Sequence, residues 1–242
     1  MAASIMVPVD RLQAVQTSQK ESKEMRWRPK NKFELESGLF DYVEYNCTAR
    51  GKPNDWDVSL ITDMSELFME RHKFNDPIDN WDTSNVTNME RMFFNARKFN
   101  QPIGNWNVSK VTNMKEMFNG ALSFNQPIYN WNTQNVINMS SMFNCAREFN
   151  QPLCIYKEIV DIRWAFTFTN FKRKTNGTRL VRKLPSFLIR RIMKFLVDIK
   201  WTTRNVTDMS SMFQSASLFN QPIGRWDTGK VTDMNRMFTF AE

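Results

Sequence analysis

The stretch WDTSNVTNMERMFFNARKFNQPI, residues 81–103, recurs along the chain with few changes. Five further copies, one of them looser and one shortened, begin at Trp56, Trp106, Trp131, Trp201 and Trp226. Neighbouring copies are offset by 25 residues, except that 70 residues separate Trp131 from Trp201. A fixed period in this range is typical of a solenoid, in which each unit buries its apolar side chains against its neighbours.

Each copy combines two kinds of local pattern. The segment 86–93 places apolar residues at helical spacing, which predicts one or two turns of helix. The segment that contains Pro102 is expected to be extended, because proline lacks an N–H and restricts the residue before it. Equivalent extended segments of stacked copies would pair in parallel about 4.8 Å apart. The sequence therefore predicts an α/β repeat solenoid with short parallel strands and short helices.

Stacking would turn each repeated apolar position into a column of the core. The residues expected in these core columns are Trp81, Met89, Phe93, Phe99, Trp106, Met114, Phe118, Phe124 and Trp131. Asn100 and Asn125 recur beside the phenylalanine column. Because a buried polar group needs a hydrogen-bond partner, we expect them to form a ladder that bonds the backbone of the next turn.

The unit W-D-T/V-S-x-V-T-N/D-M-x-x-M-F-x-x-A-x-x-F-N-Q-P-I resembles the BspA-like leucine-rich repeat of surface proteins, in the variant abundant in mycoplasma lipoproteins. Similar repeats also occur in proteins of large DNA viruses. The resemblance covers residues 54–153 and 201–242. It implies a solenoid used for adhesion or protein–protein contact, with no catalytic residues.

The other segments flank the repeats. Residues 1–32 are mostly polar and predict a mobile arm, whereas residues 33–55 predict a cap made of a short helix and a turn, because the open end of a solenoid needs cover. Residues 56–153 hold four repeats, and residues 201–242 hold two more, the last incomplete. We expect the resulting uncapped C-terminal edge to be closed by another subunit or a partner.

A basic insert, residues 154–200, interrupts the series. Residues 154–204 carry 13 Lys and Arg against 3 Asp and Glu, whereas the rest of the chain carries 20 against 22. Within the insert, residues 184–199 predict an amphipathic helix, and a degraded repeat turn is one of the interpretations open for residues 159–171. The positive charge of the chain therefore belongs to this insert, and the repeats are slightly acidic.

Four interpretations of the helix at 184–199 remain open. It packs on the flank of the solenoid, or it docks an acidic protein partner. It also resembles the opening of an F-box, through LPSFLIRRIMKFL, and its charge suits nucleic acid or an anionic membrane, although no motif supports either. The residues expected to contact a partner are Leu188, Arg190, Arg191, Ile192, Lys194 and Phe195.

Motifs of catalysis are missing from the sequence. There is one histidine, His72, and no Gly-rich phosphate loop, GxSxG motif or metal-spaced cluster. We therefore predict a non-enzymatic protein with no cofactor, no metal and no small-molecule substrate, which acts in protein–protein interaction or assembly.

The expected location follows from the N-terminus and the cysteines. The N-terminus lacks a signal-peptide pattern, no apolar run could span a membrane, and the three cysteines suit a reducing compartment. These features favour an intracellular or virion setting, such as a minor structural protein of a large DNA virus. The alternatives are an F-box-like substrate adaptor of a ubiquitin ligase and a cell-surface adhesin.

Overall fold

A computed structural model describes residues 26–153, 201–224 and 226–241 of the chain. Within these residues the regular elements are one α-helix, α1 (Lys32–Tyr45), and one 3-10 helix (Pro53–Asp55). The remainder forms six stacked turns, which begin at Trp56, Trp81, Trp106, Trp131, Trp201 and Trp226. The helix expected at 184–199 lies outside the described residues.

Each turn is joined to the next by one isolated parallel β-bridge instead of a longer strand. The bridges join Asp63 to Asn88, Asn88 to Asn113, Asn113 to Asn138, Asn138 to Asp208, and Asp208 to Asp233. Equivalent residues of successive repeats therefore lie beside one another. Parallel pairing was expected between extended segments such as the one that contains Pro102, but the bridges lie at Asn88 and its equivalents, inside the segments where helix was expected.

The prediction of short helices is wrong for the described repeats. In the turn that begins at Trp81, residues 90–95 form a run of overlapping turns, with Arg91 and Asn95 in the left-handed region at φ 53°. The N–H groups of Met89 and Arg91 donate to carbonyls of the next repeat at 3.0 and 2.9 Å. An α-helix would use these N–H groups internally, so the apolar spacing is kept while the hydrogen bonds pass to the neighbouring turn.

Aromatic rings fill the interior as columns parallel to the stack. Phe118 lies between Phe93 and Phe143, with ring centroids 5.5 and 5.7 Å apart and nearly parallel planes. Phe99 and Phe124 form a second column, with centroids 6.1 Å apart. Rings in these columns are buried, so the apolar area that stabilises each turn is supplied by its two neighbours.

The stack continues directly across the sequence position of the insert. Trp131 and Trp201 stack with centroids 6.5 Å apart, close to the 6.3 Å between Trp81 and Trp106. Phe143 contacts the equivalent ring of the next turn at 5.6 Å. The two repeats on either side of the insert therefore pair directly with each other. Residues 159–171, interpreted from the sequence as a degraded repeat turn, lie outside the described residues.

The hydrogen bonding of the indole N–H groups differs along the stack. Trp106 and Trp131 donate from Nε1 to the carbonyls of Ile78 and Ile103 at 3.1 and 3.0 Å. Within the described part of the chain, the buried Nε1 atoms of Trp201 and Trp226 have no hydrogen-bond partner. A buried N–H without an acceptor is costly, so these two indoles depart from the regular bonding pattern of the stack.

Helix α1 covers the first turn of the stack. Asn31 caps it by accepting from the Glu34 N–H at 2.9 Å, and Leu35 and Leu39 are fully buried in the common core. Trp27 packs edge-on against the Trp56 ring, with centroids 4.6 Å apart. Residues 26–31 therefore belong to the cap, although the sequence assigned them to a mobile arm, because the Trp27 indole adds apolar area to this end of the core.

We expect Phe118→Ala to lower the free energy of unfolding by about 3–5 kcal/mol, because the ring is buried between two others. Urea unfolding followed by circular dichroism measures the change. The matched control is Phe238→Ala, at the same repeat position but 44% exposed. Equal losses for the two variants would contradict the stacked core.

Replacing residues 154–200 by Gly-Asn, the pair found at 104–105, should leave the stack folded and its urea midpoint no lower than that of the full chain. Those two residues occupy the same place between Ile103 and Trp106, and each doubling of a loop costs about 0.6 kcal/mol in closure entropy. Loss of cooperative unfolding in this shortened chain would contradict direct stacking of the two flanking turns.

Candidate interaction surface

Two outward-facing columns form one side of the stack, which we call the threonine face. One column occupies the seventh position of each turn and consists of Thr62, Thr87, Thr112, Ile137, Thr207 and Thr232. The other occupies the fifth position and consists of Leu60, Asn85, Lys110, Asn135, Asn205 and Lys230. The residues between the two columns are mostly buried valines, so the two columns alternate outward with the core.

Hydrogen bonds between turns fix the threonine column. The N–H and the hydroxyl of Thr112 both donate to the carbonyl of Thr87, at 2.9 and 3.2 Å. Thr87 makes the same pair of bonds to Thr62, at 2.8 and 3.1 Å. Because each hydroxyl is engaged by the backbone, this column has little freedom to rearrange.

The fifth-position column is also cross-linked, and it carries the positive charge. Lys110 donates from Nζ to Oδ1 of Asn85 at 2.8 Å, and Lys230 donates in the same way to Asn205 at 2.7 Å. Asn135 donates from Nδ2 to the carbonyl of Ser109 at 2.7 Å. These bonds hold each lysine over the preceding turn, so both ammonium groups have defined positions on the surface.

A shallow groove runs along this face between the two lysines. Its lining residues are Thr87, Lys110, Thr112, Asn135, Ile137, Asn205, Thr207 and Lys230. Ile137 replaces the threonine of the other turns and is 50% exposed. The groove therefore combines an apolar centre with a fixed cation toward each end.

A second side of the stack carries paired charges. Arg91 donates from Nε to Glu116 at 2.8 Å and lies 3.8 Å from Glu66, while Lys115 lies 3.8 Å from Glu90. The hydrogen bond and the charge of Glu116 raise the pKa of the Arg91 guanidinium. Opposite charges here neutralise one another between turns, so this side offers less net charge to a partner than the threonine face does.

Charge pairing also ties the cap to the first turn. Asp63 accepts from its own Ser65 N–H at 2.9 Å and lies 3.6 Å from the Lys32 ammonium. Burial alone would raise the pKa of the Asp63 carboxyl, but the bonds from Ser65 and the charge of Lys32 outweigh it and lower the pKa. The carboxylate at this position therefore serves the fold and is not free for a ligand.

An asparagine ladder runs along a third side. Oδ1 of Asn100 accepts from the N–H of Asn125 at 3.0 Å, and Oδ1 of Asn125 accepts from the N–H of Asn150 at 3.0 Å. The ladder crosses the junction, because Asn150 accepts from Asn220 at 3.0 Å. Gln151 also donates to Asn125 at 3.0 Å. These amides satisfy backbone groups and hold the turns in register.

The structure places the predicted residues in two groups. The core residues Trp81, Met89, Phe93, Phe99, Trp106, Met114, Phe118, Phe124 and Trp131 are buried, while Asn100 and Asn125 are half-buried in the ladder. The predicted partner contacts Leu188, Arg190, Arg191, Ile192, Lys194 and Phe195 lie outside the described residues. The expected contact at the C-terminal edge stays a prediction; Met234, Phe238 and Phe240 are exposed in the last turn.

Sequence reasoning missed the threonine face. The available signal was the seventh position of the repeat, which is threonine in every turn except at Ile137. A second signal was the lysine that replaces asparagine or leucine at residues 110 and 230. Both follow from aligning the copies by their tryptophans, but their meaning depends on knowing which positions point outward.

A metal site and a membrane-spanning helix are both absent from residues 26–153, 201–224 and 226–241. No group of three His, Cys, Asp or Glu has the arrangement of a metal site there. No helix in that part of the chain combines the length and the apolar character that crossing a bilayer requires. His72 is exposed and contacts the Asn95 carbonyl through Nδ1 at 2.8 Å.

A family model described as "Mycoplasma protein of unknown function, DUF285" matches residues 37–156 and 167–242. The chain belongs to this family. The match agrees with the expected likeness to mycoplasma repeat proteins, whereas the finer assignment to BspA-like leucine-rich repeats stays a prediction. No curated protein and no solved structure shows a significant match.

We expect Asn125→Ala to lower the free energy of unfolding by about 1–3 kcal/mol, because the Asn150 N–H and the Gln151 amide lose their acceptor. Asn125→Asp keeps an oxygen at that place and should lose clearly less. Urea unfolding at pH 7 compares the two variants. An aspartate variant as unstable as the alanine variant would show that the acceptor oxygen is not what matters.

Proposed function

We propose that this chain is a non-enzymatic repeat solenoid of the BspA-like leucine-rich repeat class, and that its lateral faces bind a protein partner or an assembly neighbour. The observation that carries the proposal is the threonine face, a surface whose exposed side chains are held at fixed spacing by hydrogen bonds between turns. A rigid surface loses little side-chain entropy on binding.

The repeat positions at which residues differ between turns support the same function. Inward positions repeat the same aromatic and methionine residues from turn to turn, as expected for a core. Outward positions change between turns, as Ile137 among threonines shows, and so can encode recognition without altering the fold. Membership in a repeat family is consistent with this division.

The more specific roles remain hypotheses with different support. An F-box-like adaptor depends on residues 184–199, which lie outside the described residues. The virion role has no support from the family match, and an adhesin role rests on the resemblance alone. The proposal here is therefore the interaction module.

The test is isolation of the full chain with its partner from the native source, followed by three variants. Thr112→Glu changes the threonine face, Ser141→Arg changes the charged side, and Ser123→Lys changes the edge near the ladder. The last two place residue types found at the same positions of other turns, Arg91 and Lys98, so the fold should persist.

We expect a stoichiometric partner that at least one variant releases, with the thermal unfolding midpoint of that variant unchanged. Isolation of the chain without a stoichiometric partner would contradict the proposal. Retention of the partner by all three variants would contradict it as well, because no lateral face would then be in use.

A further inference from the structure

The groove on the threonine face combines three features that together specify a ligand. Lys110 and Lys230 lie toward its two ends, Ile137 lies between them, and the two columns that form the face contain no Asp or Glu. We propose that this groove binds an extended acidic peptide segment of a partner protein, with an apolar side chain between two carboxylates. The inference rests on the proposed function and deepens it.

Hydrogen bonds within the protein hold both lysine side chains in position without a ligand. Each ammonium group is held by the asparagine of the preceding turn, at 2.8 Å for Lys110 and 2.7 Å for Lys230. An ammonium group has three donors, so the bond to one asparagine leaves donors for a carboxylate. Part of the entropy cost of ordering each lysine side chain is therefore incurred on folding, which lowers the entropy cost of binding.

The spacing of the cations matches an extended peptide. Lys110 and Lys230 belong to turns that are three steps apart, and each step is about 4.8 Å, which gives about 14 Å. An extended peptide rises about 3.4 Å per residue, so residues i and i+4 are also about 14 Å apart. Side chains i, i+2 and i+4 share one face, which places the middle one over the groove centre near Ile137.

The centre of the groove provides an apolar contact and a free acceptor. Ile137 is 50% exposed in a column where the other turns carry threonine. Among the described residues, Oδ1 of Asn135 accepts no hydrogen bond, although the same oxygen accepts from lysine in Asn85 and Asn205. A peptide N–H can donate to this oxygen, which favours a polypeptide over a free anion.

The two lysines of the groove differ in their ion pairing from the cations of the charged side. Arg91 is neutralised by Glu116 and Glu66, whereas no carboxylate lies within ion-pair distance of Lys110 or Lys230 in the described residues. An acidic segment that approaches the described repeats therefore meets unneutralised positive charge on the threonine face. Complementary charge also speeds the encounter of the two surfaces.

The probe is the labelled peptide SESLSES, and fluorescence polarisation measures its affinity for the full chain at about 50 mM salt, where screening is moderate. The groove variant is Lys110→Glu with Lys230→Glu. The control is Lys73→Glu with Lys98→Glu, which makes the same change in net charge at two exposed lysines elsewhere. Because the basic insert is identical in both proteins, the difference between them isolates the groove.

We expect the groove variant to bind the peptide about tenfold more weakly than the control variant. Ile137→Thr restores the residue of the other turns, so it should fold normally and bind about threefold more weakly, through lost apolar contact. The peptide SQSLSQS should bind the native chain as weakly as SESLSES binds the groove variant.

Three results would overturn the inference. The first is no measurable binding of SESLSES by the native chain at about 1 mM. The second is equal weakening in the groove and control variants. The third is a groove variant that keeps the peptide but loses a mixed-sequence DNA duplex, which would assign the groove to nucleic acid. If Ser141→Arg or Ser123→Lys alone releases the native partner, the proposed function stands and this groove assignment fails.

Discussion

The rest of the structure depends on backbone hydrogen bonds that run from each turn to the next. The N–H of Met64 donates to the Asn88 carbonyl, that of Met89 to Asn113, and that of Met114 to Asn138, each at 3.0 Å. These bonds form only if equivalent residues lie side by side, which requires a constant number of residues per turn. A one-residue insertion within a turn would move every later side chain of that turn out of its column. The period of 25 residues is therefore a physical constraint.

The same constraint explains where the chain tolerates a long excursion. Between residues 153 and 201 the chain leaves one turn and enters the next at a corner, after the last core residue of the repeat and before its tryptophan. The ladder bond from Met139 to the Asp208 carbonyl has a length of 3.1 Å, close to that of its neighbours. The excursion changes the sequence distance between stacked turns but leaves their register intact.

The sequence predicts the period, the buried columns and the asparagine ladder, because the residues that form them recur at fixed positions of the repeat. It predicts the backbone conformation less well. Residues 86–93 have helical spacing, and left-handed residues such as Glu116 and Ser141 are not glycine, so residue type does not consistently signal the overlapping turns. The groove depends on residues from five turns, and Lys110 and Lys230 are found to line one surface only once the register across the insert is known. Local patterns carry no information about that register.

The proposed interaction function depends on a division between inward and outward positions. The inward rings of Phe93, Phe118 and Phe143 make the turns interchangeable, and the ladder bonds make them rigid. The outward positions are then free to differ, as Ile137 does. An interaction surface built in this way gains its specificity from a few departures from the repeat, since the repeated residues themselves are occupied by the fold.

Direct stacking across the insert is the central claim, and a disulfide tests it most directly. In a chain with serine at Cys47, Cys145 and Cys154, cysteines replace Gln134 and Arg204, which hold the same position in the turns on either side of the insert. Adjacent turns are about 4.8 Å apart, within the range of about 4.4–6.8 Å that a disulfide spans. Mass spectrometry after mild oxidation should show this disulfide, and should show none for Ser109→Cys with Arg204→Cys, two turns apart. A pair at 134 and 204 that stays reduced in folded protein would contradict the account.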